Sequence, residues 1–334
     1  MRVTHFKKVV SIAAALSAAM ALASGAALAQ DKSKSPLKVA VFSVNGASPT
    51  VHTMIESAAE AARARGWTVE TYDGNSDQVA TNNQANTFIT RGFNALINIC
   101  SDNNQMGGVI ANAAKANIPF VSTFSGMVPG ITVDIGSNNV ADGVFSASAL
   151  AARINGEGEV LALNWSVLPA TAERGAGMRA VLSEYKKIKL TEMEVKVPGQ
   201  VDDTYKKVTD FLIGHKDVKA IWTGWDELAV AATRAVQQSH VEHKPFVVSE
   251  DGNDAAYDLI RDGSPMALTI AYDVRGMGVQ AVQAVADAVD GNAFNERQIY
   301  KKPCLIVKET VPPKGQYPDF KTCTLYSADL PKTN

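Results

Sequence analysis

From Leu37 to Val307, short apolar runs rich in β-branched residues alternate with segments of helical periodicity. Parallel strands need long crossovers, and their sheets must be covered on both faces, so this alternation predicts parallel sheets sandwiched between helices. Strands are expected at Leu37–Phe42, Trp67–Tyr72, Ala95–Ile99 and Pro119–Phe124, separated by helices over Val51–Arg65, Val79–Thr90 and Met106–Lys115. Pro49 and Gly66 punctuate the first helix, as a residue of fixed φ and a stop of positive φ do. A short extended piece, Gly130–Asn139, precedes a second series. That series runs through helix Ala141–Arg153, strand Glu159–Asn164, helix Ala170–Glu184, strand Leu190–Val197, helix Asp202–Gly214, strand Ala220–Thr223 and helix Glu227–Gln237. The strand at Phe246, its helix to Asp262, strand Ala267–Ala271, helix Gly276–Asp290 and one final strand, Gln298–Val307, complete it. The fold class is α/β, with two doubly wound parallel-sheet lobes that meet near Ser137.

Arg2, Lys7 and Lys8 precede the apolar, Ala-rich stretch Val9–Ala23, and Ala27-Leu28-Ala29 fits a small-residue cleavage site. Residues 1–29 are therefore expected to be a cleaved export signal, which places the mature chain in a periplasm. About 305 residues remain, enough for two domains. The formal charge of the full chain is −2, and loss of those three cations makes it more negative, which argues against a nucleic-acid partner. In an oxidising compartment Cys304 and Cys323 are expected to form a disulfide, leaving Cys100 as a buried thiol at a strand end.

No catalytic set is visible. Gly175-Ala-Gly177-Met-Arg-Ala180 fits GxGxxA but begins about ten residues after its strand, too far for a dinucleotide turn. Small residues that let this helix pack closely on the sheet explain it better. There is no GxSxG elbow. His240 and His243 lie in a polar link without a further ligand, so no metal and no cofactor are expected. The strand ends carry the functional signal instead, because ligands of open α/β sheets sit beyond the carboxyl ends of the strands. Ser43 and Ser48, Asn98, Phe124 and Ser125, Trp165, Trp225 and Asp226, Asp251 and Asn253, and Tyr272 all fall there. Aromatic faces cover the apolar faces of rings, while short carboxylates and amides take hydroxyls. Asp251 is read either as such a ligand or as a cap of the following helix.

The stretches LKVAVFSVNGASP, ANIPFVSTFS, TAERGAGMRAVL, HKDVKAIWTGWDELAVAATRAV, FVVSEDGND and MALTIAYD resemble the periplasmic sugar-binding proteins of ABC transporters, of the ribose-binding-protein type with the type I periplasmic binding fold. The resemblance spans Leu37 to about Val307. It implies two lobes joined by a three-segment hinge, near Ser137, Asp273 and Pro303, that close on a polar solute. The lobes would be residues 30–136 plus 273–303 and residues 137–272 plus 304–320, with a tail at 321–334; the chain beyond Pro312 is expected to wrap one lobe and to be pinned by Cys304. It also implies a membrane permease as partner and a monomeric, non-enzymatic protein.

Position by position, the resemblance puts Ser43 and Ser48 in the first-lobe loop that approaches the ligand, and Asn98 and Asp251 on hydroxyl-binding sites. Phe124 and Ser125 stand where an Asp-Arg pair is usual, Trp225 where an Asn is usual, with Asp226 beside it, and Tyr272 replaces a Gln or Asn. Ala172 aligns with a clamping Arg, and a shift of two residues puts Arg174 there. Aromatic surface thus replaces charged donors, and the expected solute is a sugar, polyol, cyclitol or related small molecule other than ribose. The alternatives are an exported signal-molecule or chemoreceptor-linked binding protein of the same fold, and an exported enzyme.

Overall fold

The computed structural model describes residues 36–325; the expected export signal and the end of the tail lie outside them. The first lobe is built from β1 (Lys38–Ser43), α1 (Pro49–Ala64), β2 (Thr68–Asp73), α2 (Gln78–Thr90), β3 (Ala95–Ile99), a 3-10 turn at Asn103–Met106, α3 (Gly107–Lys115), β4 (Phe120–Thr123) and β5 (Val133–Gly136). The second contains α4 (Asn139–Arg153), β6 (Glu157–Asn164), α5 (Pro169–Leu182), β7 (Lys187–Glu194), α6 (Gln200–Gly214), β8 (Val218–Thr223), α7 (Asp226–Gln238), β9 (Phe246–Asp251), α8 (Asp254–Arg261) and β10 (Met266–Ala271). The chain then returns as α9 (Val274–Val289) and β11 (Gln298–Tyr300) to the first lobe, and as β12 (Cys304–Val307) to the second.

Each lobe holds a six-stranded sheet, ordered β11-β5-β4-β3-β1-β2 and β12-β10-β9-β8-β6-β7. All pairs are parallel except β12, which runs antiparallel to β10 with Ala271 opposite Cys304. Strand order reverses between β1 and β3 and again between β6 and β8. The crevices that such reversals open beyond the strand ends face one another. Central strands are apolar through most of their length, with polar residues gathered near their ends, because helices cover both faces. Val39, Ala40, Val41 and Phe42 of β1, for example, have no exposed surface.

Three expectations are corrected. The final strand is not continuous. Lys301 donates its N–H to the Gly136 carbonyl at 2.6 Å as the last bond of the first sheet, and pairing resumes in the second sheet only after Pro303. Pro303 lacks a ladder donor and restricts Lys302, so the break falls there. The chain therefore passes between lobes at Ser137–Asn138, Tyr272–Asp273 and Lys301–Pro303.

The two glycines of α5 divide: a Cβ at Gly175 would meet the Asn164 amide at the end of β6, as packing on the sheet requires, whereas Gly177 serves a neighbouring helix. A Cβ at Gly177 would collide with the Val140 carbonyl, and one at Gly143 with the carbonyl of Arg174, so α4 and α5 touch backbone to backbone. Gly177→Ala therefore forces the helices apart, and we expect a loss of about 1–3 kcal/mol, the range for overpacking. A chemical-denaturation midpoint equal to that of the parent would refute this.

The disulfide between Cys304 and Cys323, with Cα atoms 5.5 Å apart, ties the tail to β12, and Leu305 donates to the Thr324 carbonyl at 2.8 Å. The chain from Pro312 onward does not stay on one lobe, contrary to expectation. Arg261 of α8 donates to the Pro312 carbonyl at 2.8 Å, while Arg275 of α9, in the first lobe, donates to the Tyr317 hydroxyl at 2.7 Å and lies over its ring. The disulfide closes a loop of 19 residues. Replacing both cysteines by alanine should cost about 3 kcal/mol in the chain-entropy account. The same loss should appear in the parent protein on full reduction, and an unchanged thermal midpoint would count against it.

Candidate functional site

The two sets of strand ends, with the first turn of α1, enclose a cavity between the lobes with about 70 Å³ open to the centres of water molecules, room for several of them. Its apolar wall comes from Val51, Met54, Phe124, Trp165, Leu168, Ala170, Val197 and Trp225. Its polar groups are Asn45, Ser48, Thr50, Thr171, Arg174, Glu227 and Asp251, and the Cys100 thiol also borders it.

Arg174 is the centre of the polar arrangement. It sits on α5, held against the second lobe by the glycine contacts described above, and is 4 % exposed. Its Nη1 donates at 2.9 Å to Asp251 Oδ1 and at 2.9 Å to the Gly224 carbonyl, and its Nε lies 3.2 Å from Glu250 Oε2. Its guanidinium carbon lies 4.8 Å from the centre of the Tyr272 ring and 5.7 Å from that of Phe124, so two aromatic rings complete its surroundings. Burial disfavours the charge on Arg174, but Tyr272, Asp251 and Glu250 together more than offset it and hold its pKa above the usual range.

Two side-chain hydrogen bonds join the lobes across the cavity. Thr50 donates to Asp251 Oδ2 at 2.9 Å, and Ser48 donates to Glu227 Oε2 at 2.7 Å. Asp251 has φ +127°, a conformation that costs an L residue about 1–3 kcal/mol and is kept where its surroundings over-determine it. The next residue must be glycine, since a Cβ at Gly252 would collide with Ala271. Asn253, not Asp251, caps α8, accepting from the Ala256 N–H at 3.0 Å, which leaves the Asp251 carboxylate for Arg174 and Thr50.

Behind Arg174 a buried chain runs to the lobe crossings. Tyr272 donates to Glu250 Oε2 at 2.8 Å, Ser146 donates to Glu250 Oε1 at 2.9 Å, and Trp222 Nε1 donates to Ser146 at 2.9 Å. Burial, only partly offset by Arg174, pushes the Glu250 carboxyl up to about 8. Burial likewise raises Asp142 to about 6. Both groups hold their protons more tightly in the fold than in the unfolded chain. Their contribution to stability is therefore complete below the unfolded carboxylate range and is lost as pH rises through 6 and then 8. The thermal midpoint should fall steadily between pH 5 and pH 8.5 at constant ionic strength, and a midpoint that rises over that window would contradict this protonation pattern.

Of the residues singled out in the sequence, Ser48, Phe124, Trp165, Arg174, Trp225 and Asp251 line the cavity. Ser43, Asn98 and Ser125 do not. Ser43 accepts from the Asn45 N–H, Asn98 donates to Asn103 and to the Ser101 carbonyl, and Ser125 accepts from the Ser101 N–H, all inside the first lobe. Asp226 is fully buried; its Oδ2 accepts from the N–H groups of Gly252 and Asn253 and its Oδ1 from Thr269, so it fixes the β9–α8 turn. Burial, and then the neighbouring Asp251, raise its pKa. Tyr272 stands behind the wall, its ring centre 5.3 Å from that of Phe124. Ser137, Asp273 and Pro303 sit at the three crossings. Glu227 and Thr50, both in first helical turns, border the cavity although the sequence did not mark them out.

Residues 39–293 match the family described as periplasmic binding protein domain. Among curated proteins, the chain is 27% identical over 276 residues to the ribose import binding protein of Haemophilus influenzae, across 81% of this chain and 90% of that one. It is 22% identical over 242 residues to a xylitol-binding protein of Mycolicibacterium smegmatis, across 71% of this chain and 68% of that one. Among solved structures, an ABC transporter solute-binding protein from Mycobacterium smegmatis with bound glycerol superposes with a TM-score of 0.78 at 22% identity, covering 85% of this chain and 98% of the other. One from Agrobacterium vitis with bound allitol gives 0.77 at 23% identity, covering 83% and 97%. These likenesses agree with two parallel-sheet lobes around an interlobe cavity, and with a family match over most of the length the chain belongs to the periplasmic binding protein domain family.

Proposed function

We propose that this protein captures a small hydroxylated solute, a sugar, polyol or cyclitol, between its two lobes in the periplasm and delivers it as a monomer to the membrane permease of an ABC importer. The observation that carries the reading is the cavity itself, whose two walls belong to different lobes and are joined by the Thr50–Asp251 and Ser48–Glu227 hydrogen bonds. A solute that touches both walls favours the closed arrangement by its differential affinity for it. The relatives named for ribose and xylitol, and the neighbours holding glycerol and allitol, support the solute class.

In this reading Ser48, Phe124, Trp165, Arg174, Trp225 and Asp251 contact the solute, joined by Thr50 and Glu227. Ser43, Asn98, Ser125, Asp226 and Tyr272 hold the contacting residues in place. Ser137, Asp273 and Pro303 bend as the lobes move. The aromatic walls favour the C–H faces of a ring, and the carboxylates its hydroxyls.

A thermal-shift screen across sugars, polyols and cyclitols, with hits confirmed by native mass spectrometry, tests the reading. A solute at a hundred times its Kd adds about 2.7 kcal/mol to the folded state. Absence of stabilisation by any member of all three classes would sink it.

A further inference from the structure

The charge balance of the cavity narrows the solute further, an inference that rests on the solute-binding reading above. Arg174 is the one cation among the cavity-lining residues, and it is already engaged by Asp251 at 2.9 Å and Glu250 at 3.2 Å. Glu227 is different. Its Oε2 accepts from the Ser48 hydroxyl at 2.7 Å and from Trp225 Nε1 at 3.2 Å, and its Oε1 accepts from Gln200 Nε2 at 3.1 Å. All three donors are neutral, and among the described residues Glu227 has no ion-pair partner. Its charge also bears on the neighbouring acid, being one of the influences that raise the pKa of Asp251.

The carboxylate thus sits, without a counter-charge, in a cavity walled largely by apolar side chains, Trp165 and Trp225 among them. A low-dielectric wall strengthens the pull of such a charge on an incoming cation, and neighbouring aromatic rings favour one as well. A neutral hydroxyl satisfies Glu227 with an ordinary hydrogen bond, whereas an ammonium forms a charge-assisted one of roughly twice the strength. A carboxylated or phosphorylated solute is repelled. We infer that the solute carries a protonated amine beside its hydroxyls, as amino sugars, amino polyols and inosamines do, and that Glu227 pairs with that amine.

Calorimetric titration of the full mature protein, freed of co-purified ligand, with matched pairs tests this: D-glucosamine against D-glucose, glucamine against sorbitol, and an inosamine against myo-inositol. The amine of at least one pair should bind about tenfold or more tightly than its neutral counterpart, the step that 1.4 kcal/mol produces. Glu227→Gln should collapse that ratio towards one, and Glu227→Asp, which keeps the charge, should preserve a preference for the amine. Neutral members that bind as well as or better than their amines in every pair would overturn the inference and leave the solute-binding reading standing. An equal loss for amine and neutral member in Glu227→Gln would also overturn it. Failure of every amine to bind would overturn the inference, while the solute-binding reading is decided by the broader screen above.

Discussion

Arg174→Leu should abolish solute binding and destabilise the fold by about 3–5 kcal/mol, the cost of breaking a buried ion pair from one side. The size follows from what the arginine holds. It is the counter-charge of both Asp251 and Glu250, and it also donates to the Gly224 carbonyl in the turn that opens α7. Leucine fills much of the volume but leaves two buried carboxyls without their counter-charge. They can relieve the conflict only by binding protons, so the deficit relative to the parent should widen from pH 5 to pH 8. That pH dependence separates lost charge from lost packing, since a packing defect costs about the same at both ends. Arg174→Lys should recover part of the stability while losing the simultaneous hold on Asp251 through Nη1 and Glu250 through Nε, because an ammonium is a single point charge. Denaturant unfolding at the two pH values checks the first variant. A deficit that is flat with pH would refute the electrostatic account.

The parts of this arrangement differ in how far the sequence reveals them, for local reasons. The alternation of Leu37–Phe42, Ala95–Ile99 and Phe246–Val248 with helical segments identified the sheets, because strands buried on both faces must be apolar. The segment QIYKKPCLIV reads locally as one strand, and only the resemblance places a crossing near Pro303, because a local pattern does not say that its two halves belong to different sheets. Asp226 and Glu227 are consecutive in the first turn of α7, where successive side chains point about 100° apart, so one caps the β9–α8 turn while the other borders the cavity. Nothing in the pair of residues alone says which is which. Arg174 was reachable only by shifting an alignment two residues from Ala172. Glu250 was missed because strand alternation sends it to the face opposite Asp251; both nevertheless meet Arg174, and Asp251 does so from a backbone turned to φ +127°.

Asp251 carries the sharpest remaining contrast. Asp251→Asn should weaken solute binding about tenfold to a hundredfold, the loss that follows when a hydrogen bond to a charged group becomes neutral. It should unfold much closer to the parent than Arg174→Leu does. The asymmetry arises because one arginine serves two acids. Without the Asp251 charge, Arg174 still has Glu250 and the Gly224 carbonyl, and the asparagine oxygen can still accept from Thr50. Glu250, left as the main counter-charge, should then give up its proton more readily, making the decline in stability between pH 5 and pH 8.5 shallower than in the parent. Asp251→Ala removes the Thr50 acceptor as well and should bind more weakly still. Asp251→Gly makes the same deletion but suits the φ of +127°, recovering part of the roughly 1–3 kcal/mol that this conformation costs an L residue. Glycine should therefore be more stable than alanine at this position, while both lose binding. Equal melting temperatures for the two variants would mean that the backbone relaxes once the carboxylate is gone, and that Arg174 and Thr50 are what hold Asp251 in its strained conformation.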